Sequence, residues 1–147
     1  MNHLSSEAMN ESKRRVVNAA EQHKRSANAI VAKVFRSDRR IRYCAVIDEK
    51  SREIAGGMRP GIESLESESE SPRLRVQSVI ARAMAETWDN FHGKADYMIV
   101  HRGKITVFAY FLSDHRLVLV STEPDYSLQR FQALAELIDK WMPMKNG

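Results

Sequence analysis

The sequence predicts an α+β domain with the element order αββαβββα. Three observations carry that prediction. Apolar residues recur at intervals of three and four in an N-terminal, a central and a C-terminal segment, short apolar runs lie between those segments, and the later runs are apolar on both pleat faces. Helices, or a second subunit, must therefore cover both sides of the sheet. At 147 residues the chain is the size of one domain, and a domain of that size buries about 70% of its extended surface.

Residues 1–11 carry no apolar period and read as a disordered N-terminal tail, ahead of a single domain over 12–143 and a short tail over 144–147. From Ser12, Val16, Ala20, Ala27, Ile30, Val31 and Val34 form one side of an amphipathic helix. Arg14, Asn18, Glu21, Arg25, Asn28 and Arg36 form the other. The cluster SDRR at 37–40 stops it, and Ile41, Tyr43, Ala45 and Ile47 start a strand ending at Asp48.

Glu49 to Arg52 is a polar tetrapeptide between two apolar runs, which fits a hairpin turn, with Glu53, Ile54 and Ala55 on the return strand. Gly56-Gly57 then allows positive φ at a bulge or strand exit. A phosphate cradle would need GxxxxGK[ST] or GxGxxG opening a helix, and neither pattern occurs. The loop 62–71, with Glu63, Glu66, Glu68 and Glu70 among serines, buries too little to offset its own ordering and reads as solvated. It lacks the central glycine of a calcium loop.

Ser71-Pro72 opens the middle helix, since serine accepts from orphan amides and proline suits the first turn. Leu74, Ala81, Met84, Ala85 and Trp88 share a face to about Asn90. Strands follow at Asp96–His101, Lys104–Leu112 and Leu117–Ser121, punctuated by Arg102-Gly103 and Asp114-His115. After TEPDYS, Leu128, Phe131, Leu134, Ala135, Ile138 and Trp141 stripe a last helix that Pro143 closes. Trp88 and Trp141, on apolar stripes, read as core residues, with one of them an alternative anchor for a subunit contact.

Charge is uneven along the chain. Through Arg42 there are ten Lys or Arg against four Asp or Glu, a balance of +6, and thereafter thirteen against fifteen, or −2. An anionic partner would meet the N-terminal segment. No leader opens the chain, the one cysteine forms no internal disulfide, and the longest apolar run, Val107–Leu112, is far too short to cross a bilayer. These features predict a cytoplasmic protein.

No set of residues points to catalysis. His3, His23, His92, His101 and His115 show no metal-ligand spacing, no serine lies in GxSxG, and Cys44 sits in a strand as a small hydrophobe. The sequence therefore calls for no catalytic residue, no metal and no cofactor.

The strand-turn-strand CAVIDEKSREIAGG, the helix from Pro72, the meander MIVHRGKITVFAYFLSDHRLVLVST and the closing helix together resemble the roadblock family of dynein light-chain type, over Ser12 to Trp141. They look most like an archaeal branch of these small profilin-like proteins. The resemblance implies a five-stranded antiparallel sheet with helices on both faces, the first and last on one side and the middle helix on the other. It also implies a non-enzymatic homodimer joined through the middle helix and the neighbouring meander strand, acting as a platform for a small GTPase or other NTPase. On this chain those surfaces carry Leu74, Gln77, Ala81, Met84, Trp88, Met98 and Val100. The basic first helix and the acidic serine loop are not features of a minimal roadblock domain, and they bear on the partner more than on the fold.

Two alternatives come from other classes. A profilin-like ligand sensor would need a pocket between sheet and helix. A nucleic-acid accessory protein would use the patch Arg14, Lys24, Arg25, Arg36, Arg39 and Arg40, although no helix-turn-helix, zinc finger or aromatic platform accompanies it. A lipid surface is disfavoured because Val16 to Val34 is needed to cover the sheet.

Overall fold

A computed structural model describes residues 3–142. Helix α1 spans His3–Ser37, β1 Ile41–Ile47, β2 Glu53–Met58, α2 Ser71–Glu86, the short α3 Asp89–His92, β3 Tyr97–His101, β4 Thr106–Phe111, β5 Leu117–Thr122 and α4 Leu128–Trp141. The five strands form one antiparallel sheet in the order β2-β1-β5-β4-β3. This is the predicted architecture, with the middle helical segment divided into α2 and α3. Pro143 and the 144–147 tail lie outside the described residues, as do Met1 and Asn2 of the expected N-terminal tail.

Both faces of the sheet are apolar and both are covered. On one side Cys44, Val46, Phe108, Tyr110, Val118 and Val120 pack beneath Ala27, Ile30 and Val34 of α1 and Phe131, Leu134 and Ile138 of α4. On the other, Ala45, Ile47, Ala109, Phe111, Leu117 and Leu119 meet Leu74, Val79 and Ala85 of α2. The period-two alternation along β4 and β5 assigns each residue to its layer. Ser127 caps α4 by accepting from the Arg130 amide at 3.2 Å.

Ser71 does not cap α2 as the sequence suggests. Glu70 occupies the cap position without a side-chain hydrogen bond, and the Ser71 hydroxyl donates back to the Ser67 carbonyl at 3.3 Å. Pro72 does sit in the first turn.

The opening helix is longer than its apolar period predicts, because it starts at His3 rather than Ser12. Its C-terminal third is anchored in the core, so the costly first turn is formed there and the helix propagates outward through Ala, Glu, Lys, Arg and Gln, which are good helix formers. Glu11 and Arg15, one turn apart, stand 3.8 Å from each other on this exposed stretch. Val16 and Ala20, expected to cover the sheet, are exposed instead, and coverage begins at Ala27.

The glycine pair lies in β2, opposite Ala45 and Cys44. Gly56 and Gly57 have φ of +98° and +147°, so the return strand bends where side-chain-bearing residues would be strained. The hairpin ahead of it closes through Asp48, which accepts from the amides of Lys50 and Arg52, each at 2.9 Å. Beyond β2, Arg59 donates to the carbonyls of Ile41 at 2.7 Å, Phe35 at 2.8 Å and Asp38 at 2.7 Å. Its guanidinium caps the C-terminal end of α1, where unpaired carbonyls and the helix dipole favour a cation.

Candidate functional site

The sheet has two edge strands, and they are treated differently. β2 carries two positive-φ glycines, its register with β1 shifts between Val46 and Ile47, and Pro60 follows it. The other edge, β3, reads Tyr-Met-Ile-Val-His, contains no proline, glycine or lysine, and pairs only with β4. An apolar edge strand with a free row of amides and carbonyls is a template for another strand.

Helix α2 borders that edge and leaves an apolar ridge uncovered. Val76, Ile80, Met84 and Trp88 recur every four residues and are 43%, 53%, 67% and 56% exposed, and Phe91 in α3 extends the ridge. Covering such side chains contributes about 1–2 kcal/mol each. The side of α2 turned to the sheet is filled instead by Leu74, Ala85 and the buried Arg82. Arg82 donates to the carbonyls of Leu112 and Arg116 and pairs with Glu86 at 2.9 Å, tying α2 to the β4–β5 turn.

Five of the residues inferred for a subunit contact, Leu74, Gln77, Ala81, Met98 and Val100, line one groove of about 160 Å³ between α2 and β3. Met84 and Trp88 lie outside that groove, farther along the ridge. Trp88 is not a core residue, since its ring stacks on His92 at 5.3 Å and meets Phe91 edge-on. Nor is Trp141, which is 52% exposed and takes the Lys33 ammonium over its ring at 3.8 Å. The reading from sequence missed Val76, Ile80, Phe91 and Tyr97. The four-residue spacing from Val76 to Trp88 was the signal that could have shown them.

On the same face of the sheet a larger cavity, about 580 Å³, opens between the acidic loop, the start of α2 and the strands. Leu74, Val107 and Leu119 are among its apolar lining residues, and Tyr43, Glu53 and Arg75 among its polar ones. The Tyr43 hydroxyl donates to Glu53 at 2.7 Å, and Arg75 lies 3.7 Å from the same carboxylate. Burial and the Glu53 carboxylate together push the Tyr43 hydroxyl well above the ordinary tyrosine range.

The basic residues are spread over three stretches of the chain. Arg14, Lys24 and Arg25 lie on the free part of α1, Arg36 in its last turn, and Arg39 and Arg40 in the turn to β1. Arg40 is engaged by Asp125 at 3.2 Å and by Asp38 at 3.6 Å. Along α1, Glu7, Glu11 and Glu21 share the polar side with Arg14, Arg25 and Arg36, giving a face of mixed sign. Cys44 is fully buried, and that burial pushes its thiol far above the ordinary range, where it stays protonated. Among the described residues no group of three His, Cys, Asp or Glu side chains could hold a metal ion. No described helix is long and apolar enough to cross a membrane.

Comparison with solved structures identifies the architecture. MglB from Myxococcus xanthus superposes with a TM-score of 0.58 at 11% identity, over 80% of this chain and 87% of that one. The gliding protein MglB from Thermus thermophilus gives 0.58 at 11%, over 80% and 89%. A roadblock/LC7 domain from Streptomyces avermitilis gives 0.54 at 5%, over 78% and 95%. The chain has the roadblock/LC7 fold. No family model matches its sequence, and no curated protein does.

Proposed function

We propose that the chain is a non-catalytic interaction module that pairs with a second copy through α2 and β3 and presents the joined surface to a regulatory partner, a small GTPase or other NTPase. The observation that carries this reading is the unpaired apolar edge of β3 beside the uncovered ridge of α2. Two β3 edges in contact would satisfy each other's backbone groups, and the adjoining helices would bury part of each ridge. The ridge extends beyond the groove along α2, which leaves Ile80, Met84 and Phe91 as contacts for a different molecule.

The partner class comes from the resemblance, and the test addresses it directly. Small GTPases loaded with GDP or a GTP analogue are titrated against the chain and against Met84→Asp and Phe91→Asp. The reading expects binding to one nucleotide state and a loss of at least about tenfold in each variant, as for anchoring side chains of an interface. Equal binding by wild type and variants, or none, would sink it.

The 580 Å³ cavity supports a second reading as a ligand sensor, being within the size range of small-molecule sites and mixing an apolar lining with a few polar groups. Native mass spectrometry of the purified chain tests it. Retention of a small molecule that Leu119→Trp abolishes would support a sensor, and a mass equal to the bare polypeptide after exposure to cell extract would count against one.

A further inference from the structure

The acidic loop 62–71 reads from its composition as solvated, yet the fold ties it down at both ends. At its start the Ile62 amide donates to the Arg59 carbonyl at 3.0 Å, and the Arg42 guanidinium donates to the Glu63 carbonyl at 2.9 Å. At its end the Ser67 carbonyl accepts from the amides of Glu70 at 3.0 Å and Ser71 at 3.1 Å. Ser64 to Ser67 thus form one wall of the 580 Å³ cavity, and Met58, Leu74, Ile105, Val107 and Leu119 supply its apolar lining. A wall held in advance adds little ordering cost to binding.

The charged groups around this cavity divide into engaged cations and unengaged anions. Glu53, Glu63, Glu66 and Glu68 line it against Arg42 and Arg75, four carboxylates to two guanidiniums. Both guanidiniums already face acceptors within the chain. Arg42 pairs with Glu123 at 2.9 Å and holds the Glu63 carbonyl, while Arg75 donates to the Ser51 carbonyl at 3.3 Å and lies 3.7 Å from Glu53. Among the described residues no ion pair involves Glu63, Glu66 or Glu68. Glu66 lines the cavity from a half-buried position and has no counterion there.

We propose that the cavity takes an organic cation with an apolar body, an ammonium or guanidinium carried on an alkyl chain or an aromatic ring. The inference rests on the ligand-sensor reading of the same cavity and adds the class of the ligand. The apolar lining covers the body, and the loop carboxylates face the charge. An anion fits less well, because it would meet four carboxylates and would have to draw Arg42 or Arg75 from a partner they already hold. A metal ion fits less well too. Hard cations need several oxygen ligands around one point, and among the described residues no three carboxylates converge in that way. Carboxylates spread along a wall suit a larger cation.

Three probes that share one apolar body and differ in charge test the proposal: phenylbutylamine, phenylbutanol and phenylbutyrate, each titrated into the chain by calorimetry. The amine should bind at least about tenfold more tightly than the alcohol, and the carboxylate more weakly than either. Glu66→Gln combined with Glu68→Gln should bring the amine to within about threefold of the alcohol while the alcohol binds as before, a pattern that loss of folding would not give. Leu119→Trp should abolish binding of all three, and Val107→Trp, at a half-buried lining position, replaces it should the first variant not fold. Equal binding of amine and alcohol, tightest binding of the carboxylate, or an amine preference that survives the paired Gln substitutions would overturn the proposal and leave the sensor reading standing. Amine binding that persists in the filled variants would place the amine outside the cavity and overturn the proposal. Binding of no probe at millimolar concentration would overturn it together with the sensor reading.

Discussion

A β-carbon on Gly56 would stand 2.0 Å from the carbonyl oxygen of Cys44 on the neighbouring strand. The obstacle is backbone, so it cannot be relieved by a rotamer change, and φ of +98° adds strain for any residue with a side chain. Gly56→Ala should destabilise the fold by about 3 kcal/mol or more. Gly57→Ala, whose new atom would meet only the Glu53 side chain at 3.9 Å, should cost about 1 kcal/mol, for its φ alone. Urea unfolding followed by circular dichroism checks the order, and equal costs would mean that the close approach to β1 does not constrain the hairpin.

Arg59 fastens three carbonyls at the junction of α1, β1 and β2. Removing it takes three charge-assisted hydrogen bonds from part-buried carbonyls, of which that of Asp38 keeps the Ile41 amide at 3.3 Å, so Arg59→Ala should lose about 2–3 kcal/mol. Lysine supplies a charge without the planar fork, and Arg59→Lys should recover less than half of that loss. Chemical denaturation of both variants measures it.

Acid should weaken the fold through two aspartates. Burial pushes the Asp38 carboxyl up, but hydrogen bonds from the Arg40 amide and the Arg130 side chain outweigh it and hold the group below its ordinary value of 3.8. Asp48 is likewise pushed up by burial, but the amide and side chain of Arg52 and the amide of Lys50 outweigh that and hold it below its ordinary value. In both cases the unfolded chain takes up protons before the folded one does. Their stabilisation is therefore complete above the ordinary aspartate range and is lost as pH falls through the depressed folded values. The unfolding midpoint should fall through that window, and Asp38→Asn should flatten the decline. A wild-type acid limb identical to that of the variant would contradict the assignment.

The ridge of α2 separates binding from stability. Ile80 is 53% exposed and projects from a helix anchored elsewhere, so Ile80→Asp should alter unfolding free energy by no more than about 0.5 kcal/mol while weakening partner capture at least about tenfold. Denaturation and titration of the same preparation check both. A variant that unfolds easily would show that Ile80 supports the fold.

Much of the architecture is readable from local patterns. The double-sided apolar strands require two covering layers, and Ala45, Leu119, Cys44 and Val120 lie in the layers that alternation assigns to them. The hairpin lies where the polar tetrapeptide indicates, although the return strand runs on through the glycine pair to Met58 rather than leaving the sheet there. What periodicity cannot tell is what covers an apolar stripe. Val16 and Val34 belong to one helical line, yet only Val34 meets the core, because the sheet ends before the helix does. Trp88, in the turn between α2 and α3, and Trp141, at the end of α4, likewise continue apolar stripes but stay more than half exposed. The 580 Å³ cavity depends on how the loop 62–71 lies across β1 and α2, a long-range placement that local composition does not encode.

On the proposed function, the open edge of β3 would join a second copy of this chain. Light-scattering mass of the wild type and of Val100→Lys at micromolar concentration tests it most directly, since a lysine on an open edge strand opposes strand addition. The expected wild-type mass is at least two 16.9 kDa chains, halved by the substitution. A wild type of one chain, or a mass that Val100→Lys leaves unchanged, would contradict it.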